Sequence, residues 1–171
     1  MAAHSRSASA AKETALFVAF MQIADVFGSE AEQVVKAGGL TGAQYNVLRI
    51  LRGAGREGLA CREIGERMIS RDPDITRLLD RMEKRGLITR ERQSDDRRVV
   101  KTCVTPSGLE ILKGLDQPVR ELHKRQFQGM TAAKLQALAA MLEEIRPRQA
   151  RLCKGQEPGA KLGSSKRTST E

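Results

Sequence analysis

Residues 61–105 read CREIGERMISRDPDITRLLDRMEKRGLITRERQSDDRRVVKTCVT. Ile64 and Met68, four residues apart, mark a short helix over 61–68. Asp72 is placed to cap a second helix, with Pro73 at its first position and Asp74 complementing the positive end of the dipole. Ile75, Leu78, Leu79 and Met82 follow at i, i+3, i+4 and i+7, so that face packs inward. Thr76, Arg77, Asp80, Arg81 and Lys84 fall on the other faces, and Gly86 closes the helix. Residues 87–93 and 99–104 alternate as two strands. The polar connector Ser94-Asp95-Asp96-Arg97-Arg98 forms the tip between them. Two short helices at a tight turn, followed by an arginine-tipped hairpin, make a winged helix-turn-helix, an arrangement that places its second helix in a DNA major groove.

The flanking segments are helical. Residues 1–11 are rich in Ala and Ser and read as a disordered tail. Over 12–40, Leu16, Phe20, Ile23, Phe27 and Ala31 recur at helical spacing, and Ala37-Gly38-Gly39 ends the run. Thr41 resembles the cap of a helix carrying Ala43, Val47, Leu48 and Leu51. Thr105 caps a helix with Pro106 at its first position, and Pro118 should kink or split it. Thr131 starts a last helix through Leu135, Leu138, Leu142 and Ile145, which Pro147 weakens. Residues 153–171 read as a disordered basic tail. The expected class is therefore mainly α with a small β-hairpin wing: an N-terminal helix over 12–40, the winged region over 41–105, and C-terminal helices over 106–152.

The 171 residues fit one domain with a sizeable core. Aromatics make up 3% and there is no Trp, so Leu, Ile, Val, Ala and Met must supply that core. Net charge is +9, which implies an anionic partner. Most of it lies in the termini, however: residues 62–98 hold 11 basic and 9 acidic side chains, whereas 146–171 hold 7 and 2. Arginine placement within the motif therefore says more than net charge.

No apolar run of membrane-spanning length and no secretory signal is read, so the expectation is a cytoplasmic chain with no membrane partner. Cys61, Cys103 and Cys153 form no CxxC pair, and His4 and His123 are the only histidines. No metal site and no cofactor are expected. The chain has no Gly-rich phosphate loop and no Ser/His/Asp arrangement, which argues against an enzyme.

Residues 61–108 resemble the MarR family of bacterial transcription regulators. The likeness rests on Ile64-Gly65-Glu66-Arg67-Met68, on the run Ile75 to Ile88, on Asp96-Arg97-Arg98 and on Thr105-Pro106-Ser107-Gly108. Architecturally it extends over roughly 12–152. The resemblance implies a homodimer with N- and C-terminal dimerisation helices, a near-palindromic double-stranded DNA operator, and a small-molecule effector held between those helices and the reader. It also implies that Arg98 enters the minor groove with Asp96 setting its pose. The output it implies is repression, modified by the ligand.

The candidate DNA-binding residues are Arg71, Asp74, Thr76, Arg77, Arg81, Asp96, Arg97 and Arg98. Arg77 has the fork for a guanine edge, and Thr76 suits a phosphate or a thymine methyl. Asp74 either reads a cytosine amine or only starts its helix, and Arg81 meets a phosphate or a partner within its own chain. Of the strand residues Arg90 and Arg92, one is expected to face DNA backbone and the other solvent. Phe17, Phe20 and Tyr45 are candidates for an effector crevice, against a plain role in core and interface. Two alternatives stay open: a winged-helix module that docks on protein without reading DNA, and a thiol redox sensor using Cys61 at a helix start.

Overall fold

The structure is a computed structural model that describes residues 2–70, 74–92 and 100–154, with side chains described only within 11–145. Two compact units divide at residue 127, the first ending at Phe127 and the second starting at Gln128.

In the first unit, helix α1 (Ala2–Ala37) is followed by α2 (Gly42–Ala54), a single 3-10 turn (Gly55–Glu57), strand β1 (Leu59–Ala60), α3 (Cys61–Arg67), α4 (Ile75–Lys84), strands β2 (Ile88–Arg92) and β3 (Val100–Val104), and α5 (Pro106–Gln126). The expected tail over 1–11 is helical backbone from Ala2, in keeping with the high helix propensity of its alanines. Helix α5 is continuous through Pro118 and is not split there. Pro118 and Gly114, whose carbonyl the ring displaces, are both exposed, so solvent can satisfy the freed group.

Each junction has a local cause. Helix α1 ends in a Schellman turn: Gly39, at φ +74°, donates to Lys36 O (2.9 Å), and Leu40 donates to Val35 O (3.1 Å). Thr41 then caps α2 in a capping box, its Oγ1 accepting from Gln44 N (3.3 Å) while Gln44 Oε1 accepts from Thr41 N (3.1 Å). The cap of α4 is Asp74 rather than the expected Asp72: its Oδ1 accepts from Arg77 N (3.2 Å). Asp72 and Pro73 lie outside the described residues. A second Schellman turn closes α4, with Gly86 N donating to Glu83 O (2.8 Å) and Leu87 N to Met82 O (3.0 Å).

The sheet has a strand that period-two patterning did not reveal. Its order is β1-β3-β2, all antiparallel, with Leu59 opposite Thr102 and Arg90 also opposite Thr102. β1 is only two residues long, and its close approach needs Gly58: a Cβ there would lie 2.7 Å from Thr102 O. The exit of α4 and the entry of α5 lock together. Thr105 Oγ1 donates to Gly86 O (2.7 Å) and accepts from Gly108 N (3.1 Å). A Cβ at Gly108 would run into Leu87 O.

The core beneath these elements is Leu40, Val47, Leu48, Leu51, Leu59, Ile64, Leu78, Leu79, Met82, Leu87, Ile88, Leu112 and Leu115. Helix α1 packs on α2 and α5, with Gly38 against Leu115 and Phe27 edge-on to Phe127 at 5.5 Å. Residues Ala11–Ala37 have the length and composition of a membrane span, contrary to the sequence reading. Most of that stretch is exposed in the chain, and its C-terminal part packs on α2 and α5, with Asp25, Glu30, Glu32 and Lys36 set among its apolar side chains. In the second unit, α6 (Ala132–Lys154) starts at Thr131, whose Oγ1 accepts from Lys134 N (3.3 Å). Its backbone stays helical past Pro147.

Two arginines hold α4 in place, one by ion pairs and one by hydrogen bonds to neutral oxygens. Arg90 of β2 donates through Nε and Nη2 to Glu83 Oε2 (2.8 and 2.6 Å) and through Nη2 to Asp80 Oδ1 (2.5 Å). Its side chain is only 27% exposed. Glu83 first, then Asp80, raise its pKa above the ordinary arginine value, so it stays charged. Arg85, at the C-terminal end of α4, donates to Gly39 O (2.8 Å) and Gln44 Oε1 (3.0 Å), tying the end of α4 to the α1–α2 junction.

Gly108→Ala should destabilise the protein measurably, whereas Gly53→Ala, in α2 with open space around its Cβ, should be neutral or stabilise by up to about 1 kcal/mol. Equal melting temperatures for the two variants would contradict the Leu87 contact. Arg90→Met should cost about 1–2 kcal/mol in urea unfolding, after discounting for partial exposure. Wild-type stability in this variant would mean that the clamp holds nothing in place.

Candidate nucleic-acid interface

Helix α4 has two chemically distinct faces. Leu78, Leu79 and Met82 are buried, while Thr76, Arg77, Arg81 and Lys84 are exposed. The exposed residues at its N-terminal end are Thr76 and Arg77, the end that recognition helices present to base edges. Arg77 is 81% exposed, and its Nε lies 3.0 Å from Asp74 Oδ2. Asp74 therefore acts on α4 twice, as cap and as ion-pair partner of Arg77. That resolves part of its ambiguity: its carboxylate is engaged within the protein. Such a pair at the surface contributes little stability, but it biases where the guanidinium points.

The turn before α4 is anchored from α2, where Asn46 Oδ1 accepts from Ile69 N (2.9 Å). Helix α3 is held to the sheet by Glu63, whose Oε2 accepts from Ala60 N (2.7 Å) and from Lys101 Nζ (3.3 Å). The Ala60 hydrogen bond, then Lys101, hold the Glu63 carboxyl below the ordinary glutamate range.

The structure brings Asp74, Thr76, Arg77 and Arg81 onto one short helix. Arg71, Asp96, Arg97 and Arg98 lie outside the described residues. Arg90 does not face outward toward a phosphate, as one of the two strand arginines was expected to do. It turns back onto α4 because Asp80 and Glu83 offer a pair of carboxylates within reach. The signal in the sequence was that acidic pair at i, i+3 followed by a strand arginine, but it does not say which arginine answers it. Arg92, two residues further on, is exposed.

The three crevice candidates do not converge. Tyr45 is half-buried and lines a cleft of about 300 Å³ with Ala31, Glu32, Val35, Asn46 and Ile69 among others. Phe17 and Phe20 do not line it; they are exposed on α1, Phe17 by 64%. They lie at least two helical turns before Gly28, the first α1 residue of that cleft. Sequence reasoning missed Glu32, Asn46 and Arg85, because their partners are distant in sequence. Cys61 opens α3, half-buried, and Cys103 is half-buried in β3 with Sγ 3.7 Å from Arg56 O; both are free thiols.

Comparison with known proteins agrees with this geometry. The sequence profile of the MarR family matches residues 40–100, the span from the α1–α2 junction to the start of β3. The chain is 32% identical over 114 residues to the HTH-type transcriptional repressor IacR of Pseudomonas putida, covering 67% of each chain. It is 37% identical to a MarR transcription factor of Planctomyces limnophilus, whose crystal structure superposes with a TM-score of 0.59 over 76% of this chain and 94% of that one. BpsR of Bordetella bronchiseptica, whose DNA binding is regulated by 6-hydroxynicotinic acid, shares the fold at 19% identity, with a TM-score of 0.68 over 77% of this chain and 98% of its own. The α4 face, its Schellman exit and the Thr105–Gly108 lock are set in an architecture shared with these relatives, and the chain belongs to the MarR family.

Proposed function

We propose that the protein is a sequence-specific double-stranded DNA-binding transcription regulator, a homodimeric repressor whose DNA affinity a small ligand modulates. The observation that carries this reading is the exposed N-terminal half of α4. It offers Thr76 and Arg77 on a helix whose other face is buried and whose end is clamped by Arg85 and Arg90. Its relative IacR is a repressor, and BpsR is regulated on DNA by a small acid. In this reading Arg77 forks onto a guanine, Arg81 meets a phosphate, and Arg97 and Arg98, braced by Asp96, enter the flanking minor groove. Arg71 adds a contact just before α4. A chain that reads DNA in this way works in the cytoplasm.

Dimerisation is supported by what α1 and α6 leave uncovered. Leu16, Phe17, Val18, Met21, Ile23 and Val26 are exposed on α1, and Leu135, Met141, Leu142 and Ile145 on α6. A monomer rarely leaves this many large apolar side chains of one helix in water. In this reading a second copy covers these faces, and the two α4 helices of the dimer read successive major grooves, about 34–36 Å apart. The effector is assigned to the Tyr45 cleft, because its walls come from α1, α2 and the turn that leads into α4. A ligand that favours a different placement of that turn releases DNA through its differential affinity for the two states.

Fluorescence anisotropy on duplexes tiling the DNA upstream of the protein's own gene, with random duplex as competitor, tests the reading. Tight, competitor-resistant binding to one near-palindromic tile is expected; uniform weak binding would leave only basic termini on phosphates. Arg77→Ala should cost about 1–3 kcal/mol on that tile and much less on random DNA. An equal loss on both would make Arg77 a phosphate contact. Phe17→Glu should shift sedimentation toward monomer, and an unchanged dimer would remove α1 from the interface.

A further inference from the structure

We infer that the Tyr45 cleft selects a neutral or cationic aromatic ligand and disfavours carboxylates, because Glu32 already fills its anion position. This deepens the assignment of the effector to that cleft and rests on it. At about 300 Å³ the cleft is large enough for a one- or two-ring molecule. Ala31, Val35, Ile69 and the Tyr45 ring supply apolar contact.

The electrostatics turn on the start of α2. A helix N-terminus ordinarily attracts an anion, since its first N–H groups have no partner within the helix. Here the chain's own acceptors reach those groups. Glu32 Oε2 accepts from Gly42 N at 2.7 Å, and Thr41 Oγ1 accepts from Gln44 N. A ligand carboxylate placed beside them would meet the Glu32 carboxylate at short range, in a cleft partly withdrawn from water. Among the described residues that line the cleft, Glu32 is the one carboxylate, and none is Lys, Arg or His. Arg49 lies over the Tyr45 ring, 5.8 Å from its centroid, but does not line the cleft. An ammonium or hydroxyl head group, by contrast, can donate to Glu32 while its ring packs on Val35 and Tyr45.

The position of the cleft gives the ligand leverage. Its walls belong to α1, α2 and the Ile69–Ser70 turn, which the Asn46–Ile69 hydrogen bond holds on α2. A ring wedged there presses on the segment that leads into α4.

The test uses three matched compounds: 2-phenylethylamine, 2-phenylethanol and phenylacetate. Tyr45 is the only tyrosine and there is no Trp, so intrinsic tyrosine emission reports this cleft without DNA. Failure of ligand selection is thereby separated from failure of the DNA-binding reading. The amine and the alcohol should bind at least tenfold more tightly than the acid. Glu32→Gln, which keeps an acceptor for Gly42 N, should erase most of that difference. Ile69→Arg, a change at an 88% exposed side chain, should raise the affinity for phenylacetate in a protein whose fold is undisturbed. Tighter binding of the acid to wild type, an unchanged order in both variants, or no response to any of the three compounds overturns the inference.

Discussion

The burial of Leu78, Leu79 and Met82 against the core is the constraint on which the rest depends. Helix α4 has ten residues, too few to persist alone in water. It exists because one face is packed, and its other face is available for recognition for the same reason. The polar framework then sets its orientation. Asp74 caps the start, Gly86 turns the exit, Arg85 reaches back to the α1–α2 junction, and Arg90 ties the β2 strand to Asp80 and Glu83. With both ends and one flank anchored, Thr76 and Arg77 are presented on a rigid element, which is what discrimination between base pairs requires.

Much of this was legible in the chain because it is local. The i, i+3, i+4, i+7 stripe of α4 predicted its buried face, Gly39 and Gly86 marked the Schellman exits of α1 and α4, and Thr41 and Thr105 announced their caps. What sequence pattern missed depends on distance. Two aspartates two residues apart both suit an N-cap, and only the folded backbone distinguishes Asp74 from Asp72. β1 is too short to show alternation and is defined by its partner β3. Arg90 was expected to look outward or toward DNA because nothing local assigns it to Asp80 and Glu83. Phe17, Phe20 and Tyr45 share aromatic character but not a place: helical spacing says which side of α1 a ring is on, not what stands opposite it.

The same distinction explains the charge. A net of +9 invites a simple electrostatic account, yet the region around α4 and the wing is nearly balanced. Its acids have structural duties: Glu63 and Asp74 at helix starts, Asp80 and Glu83 on Arg90. These pairings leave Arg77 and Arg81 exposed. What distinguishes α4 is therefore which cations stay exposed, Arg77 with Asp74 beside it and Arg81, rather than how many there are. Helix α1 follows the same logic in apolar terms: its C-terminal third is covered by α2 and α5, and its middle carries the side chains that a second copy would cover.

Hydroxyl-radical footprinting of the protein on the duplex it binds most tightly tests the account most directly. The account predicts two protected segments on one face of the DNA, centred about one helical turn apart, with flanking protection where the wings enter the minor groove. A single protected segment, or uniform protection along the duplex, would contradict a dimer that reads two half-sites with α4.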